Sequence, residues 1–184
     1  NNFLRIDMEN SSMTNITIET FNEEYKLKRN IGIVIQAYLY RSLNDILNLD
    51  ANMNIRLCKG IYNESDKISI KNPQKINENY IELLKVAFKN NIYVGIATHD
   101  IKLINNILDL IKTMNIEKNK FEFQVLYGVP MEKMVKFLIN NNFKVRVYVP
   151  YGKNWYEYSL RRLKENPNIA MYVIKNLFSK NFYK

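Results

Sequence analysis

Residues 93–114, YVGIATHDIKLINNILDLIKTM, combine a buried strand with the amphipathic helix that follows it. The apolar run over residues 93–98 is almost continuous, which is typical of a parallel strand covered on both faces. Asp100 is a favourable N-cap for a helix that continues to Met114. This stretch is therefore a βα unit, the building block of α/β folds.

The same unit recurs along the whole chain. Strands are predicted over residues 3–8, 32–39, 55–60, 93–98, 121–127 and 144–149. Helices are predicted over residues 14–28, 42–50, 73–90, 100–114, 130–140 and 157–166, with Pro130 in a first helical turn. Since no long linker or composition break separates these units, we expect one α/β domain of the (β/α)8 TIM-barrel type.

The number of units is too small for a closed barrel. A complete barrel has eight strands and about 250 residues, whereas this sequence of 184 residues provides six strand candidates. The first of them follows Asn1 almost at once. We therefore expect residues 1–184 to be a partial barrel that lacks its first two βα units.

Composition limits the chemistry that this chain can perform. Hydrophobic residues make up 47% and charged residues 24% of the chain, which excludes a disordered protein. The single cysteine, Cys58, and the single histidine, His99, exclude a disulfide framework and a zinc site with several Cys or His ligands. We therefore expect no metal centre, and a reducing, cytoplasmic location.

The net charge of +9 raises the alternative of a basic nucleic-acid-binding protein. The basic residues are scattered along the chain, and the densest cluster is at residues 26–29, near the end of a predicted helix. Such a distribution is typical of solvated faces. We therefore expect no nucleic-acid partner.

Polar residues are concentrated where the predicted strands end, which is where barrel enzymes place their active sites. Asp7, Gln36 and Tyr148 lie at such positions, and so do Thr98 and His99. The stretch 56–62, RLCKGIY, is the most informative, because Lys59 can face a phosphate and Gly60 lets the backbone approach a ligand. The residues alone indicate an anionic ligand over a barrel mouth.

These strand-end segments resemble the flavin-dependent proline dehydrogenase family in its monofunctional bacterial form. The resemblance extends over essentially the whole chain. It rests on RIDME at 5–9, IQAYLYR at 35–41, RLCKGIY at 56–62, IATH at 96–99, FEFQVLYG at 121–128, VRVYVPYG at 145–152 and YSLRRL at 158–163. Family members are distorted (β/α)8 barrels, so the resemblance implies strands three to eight of that barrel.

The resemblance also implies roles for individual residues. Asp7 and Arg56 match catalytic positions. The positions that line the flavin, FAD, are Met8, Gln36, Lys59, Gly60, Ile61, Thr98 and His99. Arg161 and Arg162 match the pair that binds the substrate carboxylate, while Tyr62 and Tyr148 match aromatic residues that close over the proline ring. A lysine that relatives place on their second strand matches no segment of this sequence.

The implied reaction is oxidation of L-proline at C5 to 1-pyrroline-5-carboxylate, with electrons passing from the reduced flavin to a membrane quinone. A quinone acceptor implies peripheral contact with the inner face of the cell membrane. A second alternative is a barrel enzyme that acts on a phosphorylated metabolite without flavin. That reading needs a glycine-rich phosphate loop after the last two strands, where only Gly128 and Gly152 occur.

Overall fold

A computed structural model describes residues 2–127, 129–149 and 151–153, in which strands and helices alternate as the sequence predicts. The strands are β1 (Leu4–Ile6), β2 (Ile31–Gln36), β3 (Asn54–Cys58), β4 (Tyr93–Ala97), β5 (Phe121–Leu126) and β6 (Val145–Tyr148). The helices are α1 (Thr14–Leu27), α2 (Ser42–Leu47), α3 (Pro73–Lys89), α4 (Ile101–Thr113) and α5 (Glu132–Asn140). Short 3₁₀ turns at Ser11–Met13 and Lys118–Lys120 precede α1 and β5.

All six strands form one parallel sheet in chain order, from β1 to β6. Because each helix returns the chain to the same edge, all strands point the same way and the sheet curls as in a TIM barrel. The α/β barrel-type fold is therefore confirmed. Within the described residues β1 and β6 are the outer strands and do not pair with each other.

The hydrophobic core lies between the sheet and the helices. Every second strand residue faces it, and those with no exposed surface include Ile33, Ile55, Leu57, Val94, Ile96 and Phe121. Helices α3 and α4 pack on the same side through Tyr80, Leu83, Leu84, Leu103 and Ile107, which are fully buried. This arrangement makes the helix-facing side of the sheet apolar throughout.

The opposite, concave side of the sheet is polar instead. In the strand register Arg56 lies between Val34 and Gly95, and Gly95 lies next to Glu122. The prediction that every strand is covered on both faces therefore holds for β2, whose residues are all buried, but not for β3. In β3 buried and half-buried residues alternate, because its concave positions carry polar side chains.

The sequence predicts the start of α4 correctly but not the start of α5. Asp100 caps α4 as predicted, since its Oδ1 accepts a hydrogen bond from the Leu103 amide at 3.1 Å. The prediction that Pro130 occupies the first turn of α5 is wrong, because that helix begins at Glu132. Met131, with φ −124° and ψ 11°, lies outside the helical region and separates the proline from the helix.

Candidate active site

Arg56 lies at the middle of β3 rather than at its end, and its side chain is held from three directions on the concave side of the sheet. Its Nη1 donates a hydrogen bond to Asp7 Oδ1 at 2.8 Å, and its Nε donates to Gln124 Oε1 at 2.7 Å. The guanidinium carbon lies 5.5 Å from the centre of the Tyr148 ring, within cation–π range. Among the described residues, two of its five N–H donors have side-chain partners, Asp7 and Gln124. The structure thus brings together both residues predicted to be catalytic and one predicted to bind substrate.

A second cluster forms around Lys59 and Asp100. Lys59 Nζ lies 2.7 Å from Asp100 Oδ2, which also accepts a hydrogen bond from Asn77 Nδ2 at 3.0 Å. Desolvation acts to raise the pKa of Asp100, but hydrogen bonds from Lys59, Leu103 and Asn77 outweigh it and lower the pKa to about 2. Asp100 is therefore ionised at neutral pH and neutralises Lys59.

This ion pair qualifies the prediction that Lys59 faces a phosphate. Both side chains keep about 30% of their surface exposed, at 32% for Lys59 and 29% for Asp100. Ion pairs with this degree of solvent access contribute about 0–1 kcal/mol. A bound anion could therefore share the ammonium group at little cost.

Gly60 follows β3 with φ 107°, a conformation that side chains other than glycine's rarely adopt. A Cβ at this position would lie 2.0 Å from the ring of Tyr38, which is only 5% exposed. The glycine is therefore required by packing within the chain. This is a different reason from the ligand approach that the sequence suggested.

Thr98 and His99 follow β4 and contact neighbouring backbone groups. Thr98 Oγ1 accepts a hydrogen bond from the Asp100 amide at 3.2 Å. His99 Nε2 accepts one from the Leu126 amide at 2.9 Å, so the neutral ring must carry its proton on Nδ1. Although one side of His99 is exposed, the atoms packed around the ring dehydrate it and lower its pKa. His99 is thus a neutral hydrogen-bond donor at pH 7.

The lowered pKa of His99 predicts a pH dependence of stability. In the unfolded chain the imidazole takes up a proton near pH 6.5, whereas in the folded chain it does so only at lower pH. The free energy of unfolding should therefore fall as pH decreases below about 6.5. Chemical denaturation at several pH values, compared between the wild type and His99→Gln, measures this contribution. Parallel pH profiles for the two proteins would contradict it.

The remaining predicted cofactor residues lie around the loop that follows β1. Gln36, 3% exposed, donates a hydrogen bond from Nε2 to the Glu9 carbonyl at 2.9 Å. The hydroxyl of Tyr62 donates to a carboxylate oxygen of Glu9. Met8, 8% exposed, packs in the hydrophobic core, and Ile61 is half-buried. The contacts of Glu9 hold this loop against the ends of β2 and β3.

The sequence places Gln124 at a strand end but predicts neither its contact with Arg56 nor the contribution of Glu122. Gln124 contacts Arg56 directly, and Glu122 in turn accepts a hydrogen bond from Gln124. Both are at most 5% exposed. The available signal was the alternation in FEFQVL, where two polar residues are spaced to share one face of an apolar strand.

Arg161 and Arg162 lie outside the described residues, so their predicted contact with a substrate carboxylate stays a prediction.

Within the described ranges, no group of three or more His, Cys, Asp or Glu side chains could hold a metal ion. In the same part of the chain, no helix combines the length and the apolar character needed to cross a membrane.

The site as described is rich in hydrogen-bond donors. Arg56 and Lys59 supply cationic donors, each paired with an aspartate, while Gln36 on β2 and His99 after β4 supply neutral donors on either side of β3. Such a set suits a ligand that carries phosphates and several carbonyl or ring-nitrogen acceptors. The guanidinium of Arg56 can stabilise negative charge that develops beside it.

Comparison with known sequences gives a consistent set of relatives. The family model described as proline dehydrogenase matches residues 1–173. Proline dehydrogenase 2 of Bacillus subtilis (strain 168) is 38% identical over 176 residues, covering 95% of this chain and 58% of the relative. The proline dehydrogenase of Deinococcus radiodurans is 36% identical over 179 residues, covering 95% of this chain and 57% of the relative. The chain thus spans somewhat more than half the length of these relatives.

Solved structures share the fold. Proline utilization A from Bdellovibrio bacteriovorus, in a form inactivated by N-propargylglycine, superimposes with a TM-score of 0.79 and 26% identity, covering 90% of this chain and 20% of that protein. A variant of proline utilization A from Bradyrhizobium japonicum gives a TM-score of 0.74 at 20% identity, covering 92% of this chain and 20% of that protein. The fold, the sequence relatives and the family match over residues 1–173 agree that this chain belongs to the proline dehydrogenase family.

Proposed function

We propose that this chain forms part of the catalytic barrel of an FAD-dependent enzyme that oxidises L-proline to 1-pyrroline-5-carboxylate. The observation that carries the proposal is the Arg56 cluster, in which Asp7 and Gln124 hold a guanidinium group beside Tyr148. Asp7 and Tyr148 bring the cluster to the strand ends, where barrel enzymes carry out their chemistry. Family membership favours this function over the two alternatives, a nucleic-acid-binding protein and a flavin-free barrel enzyme.

The donor set described above fits FAD, which carries a pyrophosphate and a ring system with several acceptors. Lys59 would hold phosphate oxygens by sharing its contact with Asp100. Gln36, Thr98 and His99 would contact polar atoms of the cofactor. Met8, Gly60 and Ile61 would line its apolar parts.

Bound FAD would supply the acceptor for the two electrons that leave C5 of proline as a hydride, while the proline nitrogen loses a proton.

Arg56 would place positive charge beside the reactive part of the cofactor. Because Asp7 and Gln124 fix the guanidinium before substrate arrives, little reorganisation is needed as charge develops. Asp7 is 59% exposed, so it remains accessible from the barrel mouth. We propose that it orients Arg56 toward the reacting atoms.

The substrate would be bound by its two distinguishing features, a carboxylate and an apolar ring. Arg161 and Arg162 fall on one predicted helix face with Tyr158, and arginine suits bidentate capture of a carboxylate. Tyr148 and Tyr62 would close over the proline ring. Tyr148 already contacts Arg56, which would place the ring beside the guanidinium group.

The electron acceptor after FAD is proposed to be a membrane quinone. Delivery to a quinone would require peripheral contact of a cytoplasmic protein with the inner face of the membrane.

The proposed function is tested with N-propargylglycine, the compound that inactivated the Bdellovibrio bacteriovorus relative. Incubation of the complete, FAD-loaded protein that carries these residues should abolish proline oxidation with time. An excess of L-proline should slow the loss, because both compounds would compete for one site. Retention of activity, or a loss that proline does not slow, would contradict the proposal.

We further propose that residues 1–184 form six of the eight units of the barrel. If so, the 184-residue chain made alone should retain little FAD and show no reduction by proline. Its outer strands would expose unpaired backbone groups, which favours aggregation. The measurement is the visible spectrum of the purified chain before and after addition of proline.

A chimera provides the matched control. The segment of Bacillus subtilis proline dehydrogenase 2 that this chain does not match is joined to residues 1–184, and FAD retention should then increase. A monomeric, yellow and proline-reducible product from the 184-residue chain alone would show that this account of the barrel is wrong.

A further inference from the structure

Glu122, Gln124 and Gly95 form a buried polar connection on the concave side of the sheet, directly behind Arg56. Glu122 is 4% exposed and Gln124 is 5% exposed. Glu122 Oε1 accepts hydrogen bonds from Gln124 Nε2 at 2.7 Å and from Arg146 Nε at 2.6 Å, and its Oε2 accepts one from Arg146 Nη2 at 2.9 Å. Polar groups buried to this degree are costly unless they are satisfied, so their placement requires an explanation.

Gln124 can contact Arg56 only because the strand between them has a glycine at the crossing point. Arg56 is on β3 and Gln124 is on β5, so the contact between them must cross β4. The residue of β4 at the crossing is Gly95. A Cβ there would lie 2.3 Å from Gln124 Nε2 and 2.8 Å from its Cδ. The Gln124 amide therefore lies flat over Gly95, in space that any other residue would fill.

The direction of the Gln124 amide is set by Glu122. An ionised carboxylate can only accept hydrogen bonds, so it must face the NH2 group of Gln124. Desolvation acts to raise the pKa of Glu122, but hydrogen bonds from Arg146 and Gln124 outweigh it and keep the pKa below its ordinary value. Because Glu122 binds the NH2 group, the carbonyl oxygen of Gln124 must point the other way, toward Arg56 Nε.

We propose that Glu122 and Gln124 are positioning residues for Arg56: Glu122 orients the Gln124 amide across Gly95, and Gln124 then fixes the guanidinium group by its Nε. A flipped amide would present its NH2 group to the arginine, and neither group could accept a hydrogen bond from the other. Fixing Nε sets the plane of the guanidinium and leaves Nη1 for Asp7. This proposal rests on the proposed function, because it concerns the geometry of the residue assigned to stabilise charge.

The test uses Gln124→Met in the complete, FAD-loaded protein. Methionine matches glutamine in length but cannot accept the Arg56 hydrogen bond. Because small displacements of catalytic groups have large effects, flavin reduction by proline should slow by about 10- to 100-fold. The midpoint potential of the bound flavin should also become more negative, since the positive charge beside it is no longer fixed. A change of less than about twofold in rate, with an unchanged potential, would overturn the proposal.

A double-mutant cycle separates positioning from a purely structural role. If Gln124 acts through Arg56, then Gln124→Met should slow the wild type but should not slow Arg56→Met any further. Equal slowing in both backgrounds would show that Gln124 acts independently of Arg56 and would overturn the proposal. If Arg56→Met alone leaves flavin reduction unchanged, the proposed function of Arg56 fails, which is a separate result.

Gly95→Ala and Lys85→Met complete the experiment. The added methyl group of Gly95→Ala displaces the Gln124 amide without removing a polar group, so it should reproduce the loss seen in Gln124→Met. It also keeps the proposal testable if Gln124→Met does not fold. Lys85→Met is the matched control, since it removes a cation that pairs with Glu82 on the exposed face of α3, outside this network, and should leave the reduction rate within about twofold of the wild type. A wild-type rate in Gly95→Ala would overturn the proposal.

Discussion

Replacement of Arg56 by methionine in the complete protein should slow the reduction of bound flavin by proline by about 10²–10³-fold. Hydrogen bonds to Asp7 and Gln124 fix the guanidinium of Arg56, and its side chain is only 18% exposed. Its loss removes preorganised positive charge, which solvent cannot replace in the same geometry. Rapid-mixing absorbance under anaerobic conditions measures the rate directly.

Arg41→Met is a suitable control for this substitution. Arg41 also pairs with an aspartate, through its Nε and Asp45 Oδ2 at 2.9 Å, but this pair lies on α2 and does not include any contact of Arg56. It should therefore leave the rate of flavin reduction unchanged. An Arg56→Met protein that reduces its flavin as fast as the Arg41→Met protein would remove Arg56 from the mechanism.

Replacement of Arg161 or Arg162 by methionine should weaken the binding of proline by roughly 2–5 kcal/mol if the substrate carboxylate is desolvated in the complex. Carboxylate-containing competitive inhibitors should weaken to the same extent, because they would use the same contact. Inhibition constants from steady-state kinetics, together with spectral titration of the bound flavin, measure both effects.

Prolinamide is the matched control ligand, since it keeps the ring and lacks the negative charge. Its binding should change far less than that of proline in both variants. If proline and prolinamide weaken equally, the two arginines support the structure of the site rather than the substrate carboxylate.

The order of strands and helices could be predicted because local patterns determine it. Asp100 caps α4 through a contact three residues away, and the apolar positions of α3 and α4 are spaced for one buried face. The bounds of β1 were less predictable. The sequence predicted a strand over residues 3–8, but only Leu4–Ile6 pair with β2, since the following residues leave the sheet to form the site.

The contacts of the site depended on long-range geometry that the sequence does not display. Asp7 and Arg56 were both predicted at strand ends, but their hydrogen bond joins residues on β3 and in the loop after β1, with β2 between them. The pairing of Lys59 with Asp100 was not predicted, because a lysine near a glycine gives no information about an acidic residue one strand away. The role of Gly95 could not be predicted either, since it depends on a side chain from the next strand.

We propose that these strand ends form part of the proline-oxidising site of a flavoenzyme. The most direct measurement is anaerobic addition of L-proline to the purified, FAD-loaded complete protein, with absorbance followed in the flavin band and the product identified by mass spectrometry. We expect bleaching of the flavin together with a product that has lost two hydrogens from proline. A flavin that stays oxidised in the presence of proline, or a protein that binds no flavin at all, would contradict it.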